Sequence, residues 1–461
     1  MREFLTTDRL EPAKRLVVER TKDFGEIYEV FDRDDAKSQS ERCIQCGDPF
    51  CLSKCPLHNY IPQWLKSIAE KDLDFAFKLS NEPSPFPEVM GRVCPHDRLC
   101  EGDCTLNDGH GAITIGSIET HITETGFKAG LKPQFPGVTT DKKVAIIGSG
   151  PAGLSAATYL LRSGIAVTMY ETADRAGGLL TYGIPNFKLD KKIVERRISL
   201  LEEAGLKLVL NTTVGKDITF EEVADAHDAI FIGVGATKGK SAGIVGENAP
   251  NVYPAMEYLT SIQRKNFKIS YDKKYDFKDM NVVVIGGGDT AMDCLRTAKR
   301  EGARSVTCLY RRDEKNMPGS RKEYKNAMEE GVDFVFLAAP KEIVLDENGN
   351  AIAVEATKTQ LGAKDESGRQ KMEEIKGSEF RVNADIVIMS LGFDPVVPSF
   401  LAENGIETNG WGGIIINEET YETSTAGIYA GGDCFRGADL VVTAALDGRE
   451  AARSISHSLL K

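Results

Sequence analysis

The 461-residue sequence predicts an α/β protein in which a helical, cysteine-rich amino-terminal domain precedes two Rossmann-like dinucleotide-binding domains. Two observations support this prediction. Seven of the ten cysteines fall within residues 43–104. Further along, two glycine-rich turns each follow an apolar strand and open a helix, the placement that directs backbone N–H groups at a pyrophosphate. The turns are Gly148-x-Gly150-x-x-Gly153 and Gly286-x-Gly288-x-x-Ala291.

The amino-terminal quarter contains helical patterns and lacks long β-rich runs. Apolar residues recur at helical spacing between Ile68 and Leu79, which predicts a helix over that stretch. The segment Lys132–Gly137 contains two prolines and a glycine and predicts a linker. The helical domain is therefore expected to span residues 1–135.

The spacing of the cysteines suggests metal ligation. A disulfide framework requires a secreted chain, whereas charge begins at Arg2 and no apolar signal segment precedes a cleavage site. Zinc is the serious alternative, because Cys-x2-Cys pairs often bind it. The bacterial iron–sulfur run C-x2-C-x2-C-x3-C-P differs from this one in a single spacing. The spacing favours iron–sulfur ligation and leaves zinc open; the two runs are Cys43-x2-Cys46-x4-Cys51-x3-Cys55-Pro56 and Cys94-x5-Cys100-x3-Cys104.

Charge and hydropathy exclude some functions. A formal net charge of −12 argues against nucleic-acid binding, which needs a basic surface, and against binding to an anionic membrane. Residues 144–161 carry no charge, but the turn Gly148–Gly153 would break a membrane helix. This stretch predicts a strand, a turn and a buried helix, so no membrane span is expected and a cytoplasmic location is predicted.

A strand–turn–helix–strand rhythm occurs twice in the remaining sequence, as expected for two βαβ units. A further pattern, with Asn348-Gly349 between apolar runs, predicts a β-hairpin inserted in the second unit. The predicted elements are the strand Val144–Ile147, the helix Leu154–Ser163 and the strand Val167–Tyr170, then the strand Val282–Ile285, a helix ending at Arg300, the strand Val306–Tyr310 and the hairpin Ile343–Val354.

The residues after the second strand of each unit differ in charge and predict different nucleotides. Glu171 ends that strand in the first unit, where a carboxylate accepts hydrogen bonds from an adenosine ribose 2′-OH. Arg311 and Arg312 hold the same corner in the second unit, where guanidinium groups pair with a 2′-phosphate. The first site therefore suits FAD and the second NADPH. The alternative for the arginines is a solvated basic corner.

The carboxy-terminal stretch Ile428–Asp433 resembles the second FAD motif of glutathione-reductase-like flavoproteins, in which the Asp holds the ribityl-phosphate region. The segment Asp439–Ala445 predicts a helix whose positive N-terminus faces the flavin. An ordinary Gly-Asp turn is the alternative. The expected FAD residues are Gly148, Ser149, Gly150, Pro151, Ala152, Gly153, Glu171, Gly178, Leu179, Gly235, Gly432, Asp433 and Thr443, and the expected NADPH residues are Gly286, Gly287, Gly288, Asp289, Thr290, Ala291, Arg311 and Arg312.

Over its whole length the chain resembles the small (β) subunit family of bacterial NADPH-dependent glutamate synthase. Wider relatives are the amino-terminal half of dihydropyrimidine dehydrogenase and the large subunit of electron-bifurcating NADH-dependent ferredoxin:NADP oxidoreductase. The resemblance implies an FAD domain of residues 142–278 and 405–461 that holds an inserted NADPH domain of residues 279–404. The segments that carry it are Arg42–Gly47, His58–Pro62, Gly91–Pro95, Cys104–Asp108, Gly177–Pro185, Gly286–Cys294 and Tyr310–Arg321.

The same resemblance implies two [4Fe–4S] clusters with interleaved ligands. It assigns Cys43, Cys46, Cys51 and Cys104 to one cluster, and Cys55, Cys94 and Cys100 to the other. The fourth ligand of the second cluster would be Glu119, which sits where relatives place a Glu or Gln; the alternative is a carboxylate on a helix surface. The remaining cysteines, Cys294, Cys308 and Cys434, are dispersed and are expected to be inert core thiols.

The implied function is electron input. Hydride would pass from NADPH to FAD, and single electrons would pass through the clusters to a separate large (α) subunit that makes L-glutamate from L-glutamine and 2-oxoglutarate. No catalytic side chain is expected, because the cofactors carry the chemistry. The loop Gly178–Lys188 would shape the flavin pocket, with Lys188 near the ring or on the surface. Two alternatives remain: electron transfer within another complex, such as a bifurcating one, and disulfide reduction, for which the second unit lacks a Cys-x-x-Cys.

Overall fold

The computed structural model describes residues 3–364 and 370–461. Among these residues, no strand occurs before Lys143, and the amino-terminal region consists of short helices around an apolar core that includes Trp64, Phe77 and Ile118. The helices are α1 (Val17–Arg20), α2 (Arg33–Glu41), α3 (Phe50–Lys54), α4 (Ile61–Ala69), α5 (Leu73–Asn81), α6 (Pro87–Val93), α7 (Asn107–His110) and α8 (Ile115–Lys128), with 3₁₀ turns at Glu3–Leu5 and His96–Arg98.

The predicted helix over residues 68–79 is wrong, because two helices meet there. Lys71 adopts a left-handed backbone conformation with φ of +65°, which ends α4. Asp72 then caps α5 by accepting a hydrogen bond from the backbone N–H of Phe75 at 3.0 Å. Both helices bury their apolar faces in one core, so the apolar spacing continues across the break.

Residues 143–232 form the first βαβ unit. A strand leads into the glycine turn and its helix, and a parallel strand follows, as the sequence predicts. The elements are β1 (Lys143–Ile147), α9 (Pro151–Arg162), β2 (Ala166–Tyr170), α10 (Leu179–Tyr182), α11 (Lys191–Glu203), β3 (Lys207–Val209), α12 (Phe220–Asp225) and β4 (Ala229–Ile232).

Residues 238–389 contain the second βαβ unit and an antiparallel sheet. The elements are β5 (Lys238–Gly239), β6 (Val252–Pro254), α13 (Ala255–Asn266), β7 (Asn281–Ile285), α14 (Asp289–Arg300), β8 (Ser305–Tyr310), α15 (Arg321–Glu329), β9 (Asp333–Phe336), β10 (Ala338–Leu345), β11 (Ala351–Lys364), β12 (Gln370–Asn383) and β13 (Ile386–Met389), with 3₁₀ turns at Lys273–Tyr275 and Glu314–Asn316. The chain ends with β14 (Phe393–Asp394), α16 (Ser399–Glu403), β15 (Ile428–Ala430), α17 (Asp433–Arg436) and α18 (Val441–Leu459).

Two five-stranded parallel sheets organise the two units. The first has the order β15-β4-β1-β2-β3 and the second the order β6-β13-β7-β8-β9. Because β15 returns to the first sheet from the far end of the chain, the second sheet is an insertion in the first unit. The predicted fold class is therefore confirmed. The domain limits stay a prediction, and β6 pairs with the second sheet although it precedes residue 279.

The predicted hairpin forms between β10 and β11, in which Ile343 lies opposite Val354. The carboxylate of Asp346 closes its turn by accepting hydrogen bonds from the N–H groups of Asn348 and Asn350. A third strand, β12, adds to the hairpin; its residues are mostly polar and exposed, so the sequence carries no apolar alternation that would predict it.

The helical domain packs tightly on the first unit. One apolar core joins Phe86, which directly precedes α6, and Met90 of α6 to Leu160 of α9 and Ile455 of α18. Within the residues described, no helix has both the length and the apolar character needed to cross a membrane. The packing places the cysteine region directly against the glycine turn of the first unit.

Candidate functional site

The first four predicted cluster ligands line one cavity of the helical domain. Cys43, Cys46 and Cys51 come from the loop before α3 and from α3 itself, and Cys104 comes from the loop before α7. Polar groups face two of the sulfur atoms: Gln45 Nε2 donates to Cys43 Sγ at 3.3 Å, and the hydroxyl of Thr105 lies 3.4 Å from Cys46 Sγ. Such contacts to sulfur tune the potential of an iron–sulfur cluster.

Burial disfavours charge on these thiols. It raises the pKa of Cys43 to about 11 and that of Cys51 to about 12, with a further contribution from the neighbouring cysteines. A buried thiolate needs a nearby cation, and iron supplies one while deprotonating the sulfur. The donor set therefore fits an iron–sulfur cluster.

The remaining three ligands line a second cavity, and Glu119 joins them there. Glu119 is only 5% exposed, so it is not a carboxylate on the surface of α8. Burial raises its pKa to about 8, and Asn59 Nδ2 donates to its Oε1 at 2.7 Å. The cysteines of this cavity are Cys55, Cys94 and Cys100.

His96, which no sequence pattern singled out, also lines the second cavity. Its position between Cys94 and Cys100 is the signal that could have identified it. In the described part of the chain, no group of three or more His, Cys, Asp or Glu side chains is arranged to hold a single metal ion. The two ligand sets implied by the resemblance line two separate cavities, and their assignment to two clusters stays a prediction.

A larger cavity of about 460 Å³ lies where the first unit, the second unit and the helical domain meet. It contains eleven of the thirteen predicted FAD residues, namely Gly148, Ser149, Gly150, Pro151, Ala152, Glu171, Gly178, Leu179, Gly235, Gly432 and Asp433.

The two other predicted FAD residues, Gly153 and Thr443, lie next to lining residues but do not line the cavity themselves. A Cβ at Gly153 would lie 2.1 Å from the carbonyl oxygen of Gly148, so this glycine lets α9 pack on the turn. Thr443 donates to the carbonyl of Leu440 at 2.8 Å, in the first turn of α18. Val442 and Ala444 on either side of it do line the cavity.

The carboxylate of Glu171 closes the first glycine turn. It accepts hydrogen bonds from the backbone N–H of Ser149 at 3.0 Å, from the Ser149 hydroxyl at 2.5 Å, and from the N–H of Ala173 at 2.8 Å. These contacts hold the carboxylate at the edge of the cavity, where it can accept from a ribose hydroxyl.

Asp433 and the start of α18 form the opposite wall. Burial and the carboxylates of Asp439 and Asp447 together raise the pKa of Asp433 to about 7, against a hydrogen bond from the backbone N–H of Asp439 that lowers it. The helix predicted from Asp439 begins at Val441, and its first turn faces the cavity. The positive end of a helix favours negative charge, which suits a reduced flavin ring.

Lys188 is buried beside this cavity and is not a surface residue. Its Nζ lies 2.9 Å from Oδ1 of Asp293, on α14. Burial raises the pKa of Asp293 to about 6, as do Glu323 and Asp289, whereas Lys188 lowers it. Lys188 is the only cationic side chain among the described residues that line the cavity. No sequence pattern singled out Asp293, although its spacing of four from Asp289 puts both residues on one helix face.

The second glycine turn is built like the first. Gly286 has φ of +136°, and a Cβ there would lie 2.0 Å from the carbonyl oxygen of Ser390. Asp289 and Thr290, at the start of α14, line the same large cavity as the first turn. The other predicted NADPH residues, Gly286, Gly287, Gly288, Ala291, Arg311 and Arg312, lie outside its lining.

Arg311 and Arg312 follow β8, at the corner that corresponds to Glu171 in the first unit. Arg311 is exposed, and the buried Nε of Arg312 has no hydrogen-bond partner among the residues described. An unpaired buried guanidinium donor is costly unless a ligand satisfies it. The corner therefore fits an anionic group such as a 2′-phosphate.

Comparison with known proteins identifies both parts of the chain. Residues 20–131 match dihydropyrimidine dehydrogenase domain II, 4Fe-4S cluster, and residues 142–448 match pyridine nucleotide-disulphide oxidoreductase. The glutamate synthase [NADPH] small chain of Halomonas elongata is 47% identical over 98% of this chain and 97% of its own length. The chain belongs to the glutamate synthase [NADPH] small-chain family. The Escherichia coli small chain is 46% identical over 99% and 98% of the two chains.

Other matches extend beyond small chains. A putative oxidoreductase of Escherichia coli, AegA, is 46% identical over 98% of this chain but only 70% of its own length. Among solved structures, FprA of Mycobacterium tuberculosis in complex with NADPH superposes with a TM-score of 0.58 over 69% of this chain and 85% of its own, at 19% identity. That similarity concerns the fold alone.

Membership of the small-chain family confirms several predictions. The chain is an NADPH-dependent flavin oxidoreductase with a [4Fe–4S] domain, and its cofactors are FAD, NADPH and iron–sulfur. Cys294, Cys308 and Cys434 are all buried, as expected of core thiols, and burial raises the pKa of Cys308 to about 12. Buried, unionised thiols are poor nucleophiles, which disfavours disulfide reduction in the second unit.

Proposed function

We propose that the chain is the electron-input subunit of a glutamate synthase, with a large (α) subunit that makes L-glutamate from L-glutamine and 2-oxoglutarate. Bound FAD would supply the chemistry that turns a hydride from NADPH into single electrons for the clusters. The protein's own residues bind and orient these groups. The family supports this proposal, since relatives of nearly equal length are glutamate synthase small chains.

The observation that carries the proposal is a shared wall. Cys94 and Val442 line both the large cavity and the second thiol cavity. Cys94 follows α6 directly, and Val442 lies in the first turn of α18, so the wall joins the helical domain to the first unit. This contact supports a second cluster, on Cys55, Cys94, Cys100 and Glu119, as the one nearer to FAD.

The first thiol cavity supports an exit for electrons. Phe50, which lines it, is 54% exposed, and the hydrogen bond between Cys46 and Thr105 lies at the surface. A cluster on Cys43, Cys46, Cys51 and Cys104 would therefore be accessible to a partner. We place the protein in the cytoplasm, because its ten cysteines are all unpaired and thiols persist in reducing compartments.

Activity of the isolated chain tests the proposal. The purified protein should contain FAD and iron, and should oxidise NADPH with ferricyanide as acceptor. It should form glutamate only when a large subunit is added. Glutamate formation by the chain alone, or no glutamate with any large subunit that binds it, would contradict the proposed role.

The second cluster has its own test. Eight ligands are needed for two clusters, and seven cysteines lie in the helical domain. Glu119→Ala should lose or perturb the second cluster while FAD stays bound and NADPH still reduces it. Electron delivery beyond the flavin should fail. Unchanged iron content and paramagnetic-resonance signals would show that another ligand, such as His96, completes the site or that one cluster is present.

One observation favours a second candidate. AegA contains a region similar to nearly the whole of this chain within a longer protein that is named only as an oxidoreductase. The same module could therefore deliver electrons to an acceptor other than a glutamate synthase large subunit, as in a bifurcating complex. Isolation of the chain from its own cells distinguishes the two by the partner that remains bound.

A further inference from the structure

The helical domain reaches across to the second glycine turn. Between the predicted ligands Cys94 and Cys100, the 3₁₀ turn His96–Arg98 projects towards α14. Arg98 Nη2 donates to Oδ2 of Asp289 at 3.1 Å, and its Nη1 donates to the carbonyl of Pro318 at 2.6 Å. These contacts link a loop between two cluster ligands to the proposed nucleotide site.

The same turn also holds the loop that covers the glycine turn. Asp97 Oδ2 accepts from the backbone N–H of Arg321 at 3.2 Å. In that loop, Gly319 donates to the carbonyl of Gly287 at 2.9 Å, and the N–H of Ser320 donates to Oδ1 of Asp289 at 2.9 Å. Asp289 is thus bound on both oxygens, one by the covering loop and one by the helical domain.

The charge of Asp289 is the reason that Arg98 matters. Asp289 is the first residue of α14 and lines the large cavity, next to the position where the helix N-terminus would hold the pyrophosphate of NADPH. A carboxylate there stabilises the helix but repels a pyrophosphate. The guanidinium of Arg98, bound to Oδ2 of Asp289, offsets that negative charge.

We propose that Arg98 is a positioning residue of the NADPH site, supplied by the iron–sulfur domain. It neutralises Asp289 and holds the loop of Pro318 against the glycine turn. This inference rests on the proposed placement of NADPH at α14. It also means that the second unit would bind NADPH weakly in the absence of the helical domain's contact.

A double-mutant cycle tests the proposal. NADP⁺ is titrated into the oxidised, FAD-loaded protein, and binding is followed by the change in flavin absorbance, which needs no turnover. Arg98→Gln should raise the Kd for NADP⁺ about tenfold, which corresponds to about 1.4 kcal/mol. Asp289→Asn keeps an oxygen for the N–H of Ser320, and in the Arg98→Gln background it should restore the Kd to within about threefold of the unmodified protein.

Controls separate this effect from misfolding. Arg381→Gln removes an Arg–Glu pair of similar length, 3.0 Å to Glu355, on the antiparallel sheet, and should leave the Kd unchanged. FAD and iron contents must stay normal in every variant. An unchanged Kd in Arg98→Gln, or a loss that Asp289→Asn fails to restore, overturns the proposal.

The placement of NADPH is tested separately. Replacing both Arg311 and Arg312 by Gln should also weaken NADP⁺ binding. If that variant binds normally, the nucleotide does not lie on the second unit and the proposed site fails. If it binds weakly while Arg98→Gln binds normally, only the role of Arg98 fails.

Discussion

The two glycine turns have nearly the same backbone but different surroundings. In the first unit, the carboxylate of Glu171 is held by three donors from its own unit. In the second, Arg312 retains a buried donor with no partner in the described residues, and Asp289 is bound by an arginine from another domain. The charged side chain at the first corner is thus satisfied within its own unit, whereas the second turn depends on its ligand and on the helical domain.

The two units are also joined to the amino-terminal region by different contacts. The first unit shares an apolar core with the helical domain, and a buried ion pair joins the two, in which Arg197 binds both carboxylate oxygens of Glu88 at 2.7 Å. The second is tied by a network around Glu330, whose partners Arg296 and Arg300 belong to α14 and whose partner Arg20 belongs to α1. The helix that opens at the NADPH turn is therefore fixed at its far end by the amino-terminal segment.

Removal of the charge at Glu330 should give the largest effect. Glu330→Gln leaves the buried guanidinium of Arg300 without a carboxylate partner in the described residues, whereas Arg296 keeps Glu323 and Arg20 keeps Glu329. The change should cost about 3–5 kcal/mol in the free energy of unfolding. Denaturant unfolding of the FAD-loaded protein measures it. The adjacent Glu329→Gln is the control, because Glu329 is 31% exposed and its pairs should contribute about 1 kcal/mol or less. Equal losses for both would contradict the network.

The same network predicts a pH dependence. Burial opposes the charge of Glu330, but its hydrogen bonds with Arg296 and Arg300 outweigh burial and lower its pKa to about 2. The stabilisation is then present above the ordinary glutamate pKa and is lost as pH falls from about 4.5 through 2. Stability of the unmodified protein should fall over this range more steeply than that of Glu330→Gln. Parallel curves would show that Glu330 does not titrate in this way.

The next largest effect on stability should come from the last residue of each glycine-rich fingerprint. Gly153 has no room for a Cβ, whereas the second unit carries Ala291 at the corresponding position. Gly153→Ala should destabilise the protein by about 3 kcal/mol and reduce FAD content. Ala291→Gly lowers helix propensity and removes a buried methyl group, so it should cost about 1–2 kcal/mol and leave FAD bound. Retention of full FAD by Gly153→Ala would show that the turn can shift to accommodate a methyl group.

The sequence predicted what local patterns control. Strand β1 was predicted at Val144–Ile147 and occurs at Lys143–Ile147, because an apolar run that ends at a glycine turn has clear limits. Resemblance to a family grouped the cysteines into the two sets that line two cavities. The pairs Lys188–Asp293 and Arg98–Asp289 were out of reach, because they join residues more than one hundred positions apart that no local pattern connects.

Charge at the second corner should decide which nucleotide binds. Replacing Arg311 and Arg312 by Gln removes up to two charge-assisted contacts, at about 1.5–3 kcal/mol each, so affinity for NADPH should fall roughly ten- to a hundredfold or more. Affinity for NADH should change little, since it lacks the 2′-phosphate. Steady-state reduction of ferricyanide with each nucleotide gives kcat/KM for NADPH and for NADH, and the ratio of the two values measures the change in preference. Equal losses for both would indicate that the arginines support the fold instead.

The corresponding change in the first unit should have the smallest and most selective effect. Glu171→Gln keeps one acceptor oxygen for the two Ser149 donors. Its amide nitrogen then faces the N–H of Ala173, from which the carboxylate accepts a hydrogen bond in the unmodified protein. The loss of a charged acceptor for the ribose should weaken FAD by about 1.5 kcal/mol, roughly tenfold, as measured by rebinding of FAD to the flavin-free protein. The affinity for NADP⁺ should stay constant once FAD is saturating. If Glu171→Gln lowered the affinity for NADP⁺ as much as that for FAD, the two turns would not bind separate nucleotides. The different charges at the two corners would then serve the stability of the fold and not the choice of nucleotide.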